Sequence, residues 1–444
     1  MYEGKSHTLF AKYAIPQMIG LVFNSVYMIV DGVFIGNVLG RDSMAAAAVA
    51  VPLIEILIAV SMAVASGAGI IISGQLARDE KEKALQVFDT ALICAGIISV
   101  FIAVFGNLFI HPLAELLGST PQIHDEATEY IRYIVSFSPF LIFSFLLSGL
   151  VRNDGSPKLA MFALAFGSVS NIVLDYVFMC PLHMGIGGAA LATAVGPVFS
   201  VLIMLPHFLW KKGNLYFAVP KLRLSTVRNI FTLGFPSFIM EFTIGIITFV
   251  YNIAIVKHGY GEIGLAAYLL IGYLMLIILT LFLGMAEGLQ PVFSYFTGSG
   301  EMARCNDMRR FATKVFLTVG IVCYLLIVLF SRYFFSIFNP GDTELIAFTV
   351  DKSMWYFCAF FLAGYNILMI SYWQSTSCTA KALTVSLSRS VICLPIFVFI
   401  LPHIFGGNII WVCHSLSEAM TACAAFILLA KNNKKCITKN RRMD

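Results

Sequence analysis

Long apolar stretches alternate with short polar interruptions along this chain, and the stretches set the architecture. They fall near residues 10–36, 46–76, 86–110, 128–150, 158–180, 188–210, 230–256, 265–297, 311–330, 353–375, 382–401 and 409–430. A run such as ALICAGIISVFIAVFGNLFI has no period-two alternation, so it reads as a helix and not as a barrel strand. About 20 apolar residues in a helix cross a ~30 Å hydrocarbon layer. Twelve such segments predict an all-α polytopic membrane protein. The second and eighth runs exceed that length, which predicts tilt or extension past the bilayer.

Composition agrees. Of 444 residues 59% are apolar and 12% charged, against about 25% charged in soluble proteins. The net charge of +5 comes from basic residues in the polar interruptions, which reads as an orientation signal and not as a nucleic-acid surface. With both termini and the even-to-odd loops on one side, only Arg41, Arg132, Lys257, Arg332 and Lys352 fall opposite, and Arg389 lies within a segment, out of 29 Lys and Arg. The excess marks the terminal side as cytoplasmic in a cell membrane. The tail KNNKKCITKNRR reads as a topology anchor in contact with anionic lipid. The opening MYEGKSHTLFAKYAIP lacks a small-residue cleavage site and does not read as a signal peptide. Ten scattered cysteines form no CxxC pair or metal spacing, so they read as packing residues and no cofactor is expected.

Sliding the sequence against itself by 221 residues matches Gly40 with Gly261, Ala45 and Ala46 with Ala266 and Ala267, and Leu53 with Leu274. Ile56/Ile277, Ala65/Ala286, Gly67/Gly288, Ser73/Ser294 and Glu80/Glu301 follow, nine identities over positions 40–80 where chance gives about three. Pro16 and Pro236 fall one residue off this register. Six spans return the chain to its starting side, so the repeat is parallel. Two six-helix bundles around a central cavity are the architecture this implies. The expected lobes are 1–210 and 230–430, joined by a cytoplasmic tether at 211–229 and followed by the basic tail at 431–444.

Six carboxylates fall inside spans: Asp31, Glu55, Asp175, Glu241, Glu287 and Glu418. Each costs roughly 2.5–3.5 kcal/mol on insertion scales at the bilayer centre and needs a partner, water or a function. Gln17, Asn24 and Asp31 recur every seven residues, with Tyr27 one turn before Asp31, which makes a polar stripe on segment 1. Asn171 and Asp175 stand four apart, on one face of segment 5. Both acids fall near the outer end of their segments, where they can share a proton or, with the Asn171 amide, coordinate Na⁺. The alternative is that they reach the outer headgroups. Glu241 stands mid-segment with Thr248 and Asn252 on its face, and the repeat pairs Asn252 with Asp31. Glu55 and Glu418 fit either a cavity lining or snorkelling to the interface. Glu287 fits exposure to cytoplasmic water. A lone His183 or His414 reads as interfacial or packed, not as a proton relay.

The sequence resembles the multidrug and toxic compound extrusion (MATE) family, and its bacterial branches related to the DinF and MepA exporters. The resemblance rests on Pro16…Asp31, LVRNDGSPKLAM (150–161), SNIVLDYVF (170–178), MGIGGAALAT (184–193) and GMAEGLQPVFSYFTGSG (284–300). It implies an antiporter that exports cationic or amphiphilic small molecules against inward Na⁺ or H⁺. It implies that Asp31, Asn171 and Asp175 form the cation or proton site, and the metal site if Na⁺ couples. Gln17, Asn24, Tyr27, Glu55, Glu241, Asn252 and Gln290 are candidates for the substrate cavity or coupling, and Pro16 for a bend in the first helix. A further polar residue of segment 4 is sought in Ser144 or Ser148.

Three other classes fit the sequence less well. A flippase of lipid-linked sugars calls for a strongly basic cavity, whereas Arg389 is the one basic residue placed well inside a span. A major facilitator calls for a basic signature that SGQLARDEKEKA does not match. An integral-membrane enzyme calls for a catalytic cluster, and neither HExxH nor GxSxG occurs. The oligomeric state, the coupling ion and the cargo are not legible.

Overall fold

The computed structural model describes residues 4–217, 223–338 and 342–430; the basic tail and part of the expected tether lie outside them. Over the first half run α1 (Ser6–Val38), α2 (Arg41–Leu76), α3 (Lys81–Leu108), the short α4 (Ile110–Leu116), α5 (His124–Ser136), α6 (Ser138–Asn153), α7 (Pro157–Met179) and α8 (Gly185–Leu209). The second half holds α9 (Leu224–Lys257), α10 (Gly261–Gly298), α11 (Met302–Phe338), α12 (Thr343–Phe357), α13 (Phe360–Ser375) and α14 (Thr379–Leu387). A π-turn (Ser388–Ile392), α15 (Cys393–Phe405), a 3-10 turn (Gly407–Ile409) and α16 (Ile410–Ala430) complete it. No strand occurs among the described residues.

Nine of these helices, among the described residues, are long and apolar enough to cross a membrane. Two further spans are bent: α5 with α6 by 47° and α12 with α13 by 45°. The α5–α6 break follows from Pro139 in the first turn of α6, which has no N–H to continue the helix. The remaining segment is interrupted by the π-turn, and only Cys393–Phe405 of it is a continuous apolar helix. Exposed positions are strongly apolar: Ile97, Val100, Phe101, Val104, Phe105 and Leu108 line one open face of α3. Water does not favour such a stripe; lipid does.

The backbone carries the repeat. Left-handed turn residues recur 221 positions apart at Gly40 and Gly261, Asp79 and Gly300, Gly185 and Gly406, and 222 apart at Gly155 and Ser377. Helix breaks therefore fall in the same places in both halves.

Contacts divide the chain into two compact units, Met1–Glu241 with Glu287–Met302, and Phe242–Ala286 with Ala303–Asp444. This grouping cuts across the lobes expected from chain order, because small residues draw the early part of α9 and the late part of α10 onto α2. A Cβ on Gly67 would lie 1.9 Å from the Ile230 carbonyl oxygen, and one on Gly234 1.8 Å from that of Ala63. Gly298 meets Gly74 in the same way. Such close backbone approach is how helices associate where lipid removes the hydrophobic drive. The start of the expected tether is also anchored: the Asp154 carboxylate, fully buried, lies 2.8 Å from His207 and accepts the Asn214 N–H at 2.7 Å.

Candidate functional site

Helices α1, α7 and α8 of the first unit pack side by side. The α7–α8 crossing is set by two glycines. A Cβ on Gly167 would lie 2.2 Å from Ser200 Oγ and 2.8 Å from the Gly196 carbonyl oxygen. Ser200 Oγ donates across the crossing to the Ala163 carbonyl at 2.9 Å. Asn171 is one turn beyond Gly167 and Thr193 one turn before Gly196, so the crossing sets their side chains together. Asn171 Nδ2 donates to Thr193 Oγ1 at 3.4 Å.

Asp31, Asn171 and Asp175 come together here. They are 8%, 1% and 0% exposed, so both acids are enclosed by the protein. Asp31 and Asp175 lie within electrostatic reach of each other. Tyr130 of α5 donates its hydroxyl to Asp31 Oδ2 at 3.4 Å. Asp31 Oδ1, Asn171 Oδ1 and both Asp175 oxygens have no donor among the described residues. Four buried acceptors without a proton to accept suit a cation or an added proton, because an unmatched buried acceptor is costly. A cavity of about 20 Å³ adjoins them, lined by Asn24, Tyr27, Ser144, Ser168, Asn171 and Thr193 among others. That is room for about one water. Ser144 is on its wall and Ser148 is not.

The other candidates separate. Gln17 turns to a second buried cluster, where its amide donates to Glu287 Oε2 at 2.9 Å and Arg152 Nη1 stands 3.8 Å from the same oxygen. Glu287 is thus paired inside the unit, 6% exposed, and does not face cytoplasmic water. Arg152, expected in a loop, is buried, as Arg389 is in the other unit. Glu241 is buried within reach of Glu287 and Glu55, and Glu55 is half-buried. Gln290 donates to Ser66 Oγ at 2.6 Å. Pro16 is buried inside an uninterrupted α1, next to Ala14, against which Gly288 packs too closely for a side chain. Asn252 and Thr248 are exposed on α9, unlike Glu241. Glu418 neither lines a cavity rim nor snorkels: it is wholly buried and takes Arg389 and Asn366 as partners. His414 is packed, stacked 4.8 Å from the Tyr356 ring.

Tyr130 and Thr193 were not legible as site residues. Thr193 had a signal, being the one polar side chain in MGIGGAALAT. Tyr130 had none, since its role depends on where α5 docks.

A multipass bundle of repeated helical halves with acids buried next to a small polar cavity has the form of a secondary transporter. The chain belongs to the MatE family, whose model matches it twice, over residues 16–177 and 236–399. Membership makes it a membrane transporter and not an enzyme, and the double match follows the repeat. It is similar to the multidrug export protein MepA of Staphylococcus saprophyticus, 24% identical over 97% of this chain and 93% of that one. The MepA of Staphylococcus haemolyticus is 25% identical over 96% and 94%. In fold it is similar to a MATE crystal structure in complex with MaL6, with a TM-score of 0.91, 22% identity and coverage of 99% and 98%. An outward-facing multidrug resistance MATE family transporter of the MOP superfamily gives 0.90, 22%, and coverage of 96% and 95%.

Proposed function

We propose that this chain is an antiporter of the cell membrane that exports cationic or amphiphilic small molecules in exchange for Na⁺ or H⁺. Its coupling site is Asp31, Asn171 and Asp175, and its termini are cytoplasmic. The observation that supports this reading is the set of four donor-less oxygens contributed by these three residues. Hard oxygen ligands suit Na⁺, and carboxylates in reach of one another suit a shared proton. Tyr130 and Thr193 hold the ligands in place.

The cycle requires only differential binding. The ion occupies the pocket when it opens outward, and cargo is held better when the pocket is empty, so each displaces the other as the protein alternates its access. The two buried arginines are each matched by an acid, Arg152 by Glu287 and Arg389 by Glu418. This pairing favours cationic over polyanionic cargo.

The test uses proteoliposomes loaded with a fluorescent organic cation, with a Na⁺ gradient and a pH gradient imposed separately. One gradient is expected to drive export. Asp31→Asn with Asp175→Asn is expected to lower that gradient-driven rate by roughly 5- to 150-fold, the span of a coupling free energy of about 1–3 kcal/mol. Undiminished coupled export in the double variant overturns the site assignment.

A further inference from the structure

The second unit holds its own buried polar cluster, and the repeat register says what it corresponds to. The Gly155/Ser377 turn sets a shift of 222 over the α6–α7 region. This places Asn366 at the position of Ser144 and Arg389 at that of Gly167. The Gly185/Gly406 turn sets a shift of 221 over α8, which places His414, Ser417, Glu418 and Thr421 at Thr193, Gly196, Pro197 and Ser200. All six first-unit positions line the small cavity beside Asn171. Their six counterparts are all at most 4% exposed.

The chemistry differs. In the first unit both Asp175 oxygens lack a donor. In the second, Arg389 Nε donates to Glu418 Oε1, and Asn366 Nδ2 donates to Glu418 Oε2 at 2.7 Å. Ser417 Oγ then donates to the Arg389 carbonyl at 2.7 Å. The first unit buries two acids and no base next to its cavity; the second cluster holds one acid and one base. The π-turn Ser388–Ile392 falls at Arg389. Where the first unit needs glycine for a close crossing, the second widens its helix by an extra residue and seats a guanidinium. Buried atoms also remain without partners: Arg389 Nη2, Asn366 Oδ1, His414 Nε2 and Thr421 Oγ1. The cluster is polar beyond what the ion pair uses, as expected of a pocket adapted from a binding site.

We propose that Arg389 is a tethered cation, which occupies the second unit's counterpart of the coupling pocket by pairing with Glu418. The second unit therefore takes up no mobile ion, and coupling runs through the first unit alone. This rests on the reading of Asp31, Asn171 and Asp175 as the coupling site.

The experiment measures thermal melting of the purified full chain in detergent. Na⁺ is exchanged for choline at constant ionic strength, and acid is compared with alkaline pH. Asp31→Asn/Asp175→Asn is expected to lose the cation- or pH-dependent melting shift; if it keeps that shift, the first-unit site reading falls. Adding Arg389→Gln is expected to create a new cation- or pH-dependent shift, and Glu418→Gln on top to remove it. That gain is read as a difference and stands whichever way the first arm falls. A folded Arg389→Gln variant with no Glu418-dependent shift overturns the proposal. Should Arg389→Gln not fold, Arg389→Met/Glu418→Met serves, because apolar replacement of a buried ion pair is often neutral. It is expected to fold and transport with unchanged ion dependence; loss of either overturns the proposal.

Discussion

Asp175 shows the residue-scale logic of the molecule. Its side chain is wholly buried and neither oxygen has a donor, whereas each oxygen of Glu418 has one. A charge removed from water costs several kcal/mol unless matched, so the two acids solve one problem differently. Asp31 is the intermediate case: Thr193 lies within hydrogen-bonding reach, and Tyr130 donates a long hydrogen bond. Tyr130→Phe removes that donor and keeps the ring. On the antiport reading, a hydrogen bond to a charged group is worth about 1.5–3 kcal/mol. The cation level for half-maximal transport is expected to move by at least several-fold, with maximal transport and expression retained. A cation titration of transport in proteoliposomes reads this, and an unmoved midpoint removes Tyr130 from the site.

At the element scale, glycine positions decide which helices can touch. Gly167 and Gly196 let α7 and α8 approach until Ser200 bonds across to Ala163. The α7–α8 crossing is therefore a precondition for Asn171 meeting Thr193. Gly167→Leu places carbon against Ser200 Oγ and the Gly196 carbonyl, and both are held by the helices themselves. Overpacking of this kind costs typically 1–3 kcal/mol. A lower melting temperature in detergent, together with loss of coupled export, is the expected result. Gly245, which has open space around its Cβ position, is the control: Gly245→Ala is expected to leave melting essentially unchanged.

At the scale of the whole molecule, orientation follows from charge, since loops rich in Lys and Arg resist translocation. With the other nine of the ten cysteines replaced, Cys436 in the basic tail becomes a reporter. A membrane-impermeant maleimide is expected to label it in inside-out vesicles and not in intact cells. Labelling in intact cells reverses the assigned orientation. The repeat is also a whole-molecule property: the same chain path is traced twice, with turns at matching positions. Among the described residues the two copies differ in their acids: the first holds Asp31 and Asp175 with donor-less oxygens, and the second pairs Glu418 with Arg389.

The amino-acid pattern alone established that this chain is helical, membrane-spanning and doubled. Each of those depends on local composition or self-similarity: apolar run length, loop charge and a shift of 221 residues. It also singled out Asp31, Asn171 and Asp175, because an acid in an apolar helix is conspicuous wherever it packs, and helical spacing pairs residues four apart. Tertiary structure alone decided the partners. Gln17 looked like a member of the Asp31 stripe, yet its amide turns to Glu287; Glu287 and Glu418 looked open to water or interface and are paired with Arg152 and Arg389. The physical reason is that an apolar run specifies its solvent but not its neighbour. Which helix lies alongside, and so which charge meets which, is set by small residues whose spacing matters only once two backbones come within reach of each other.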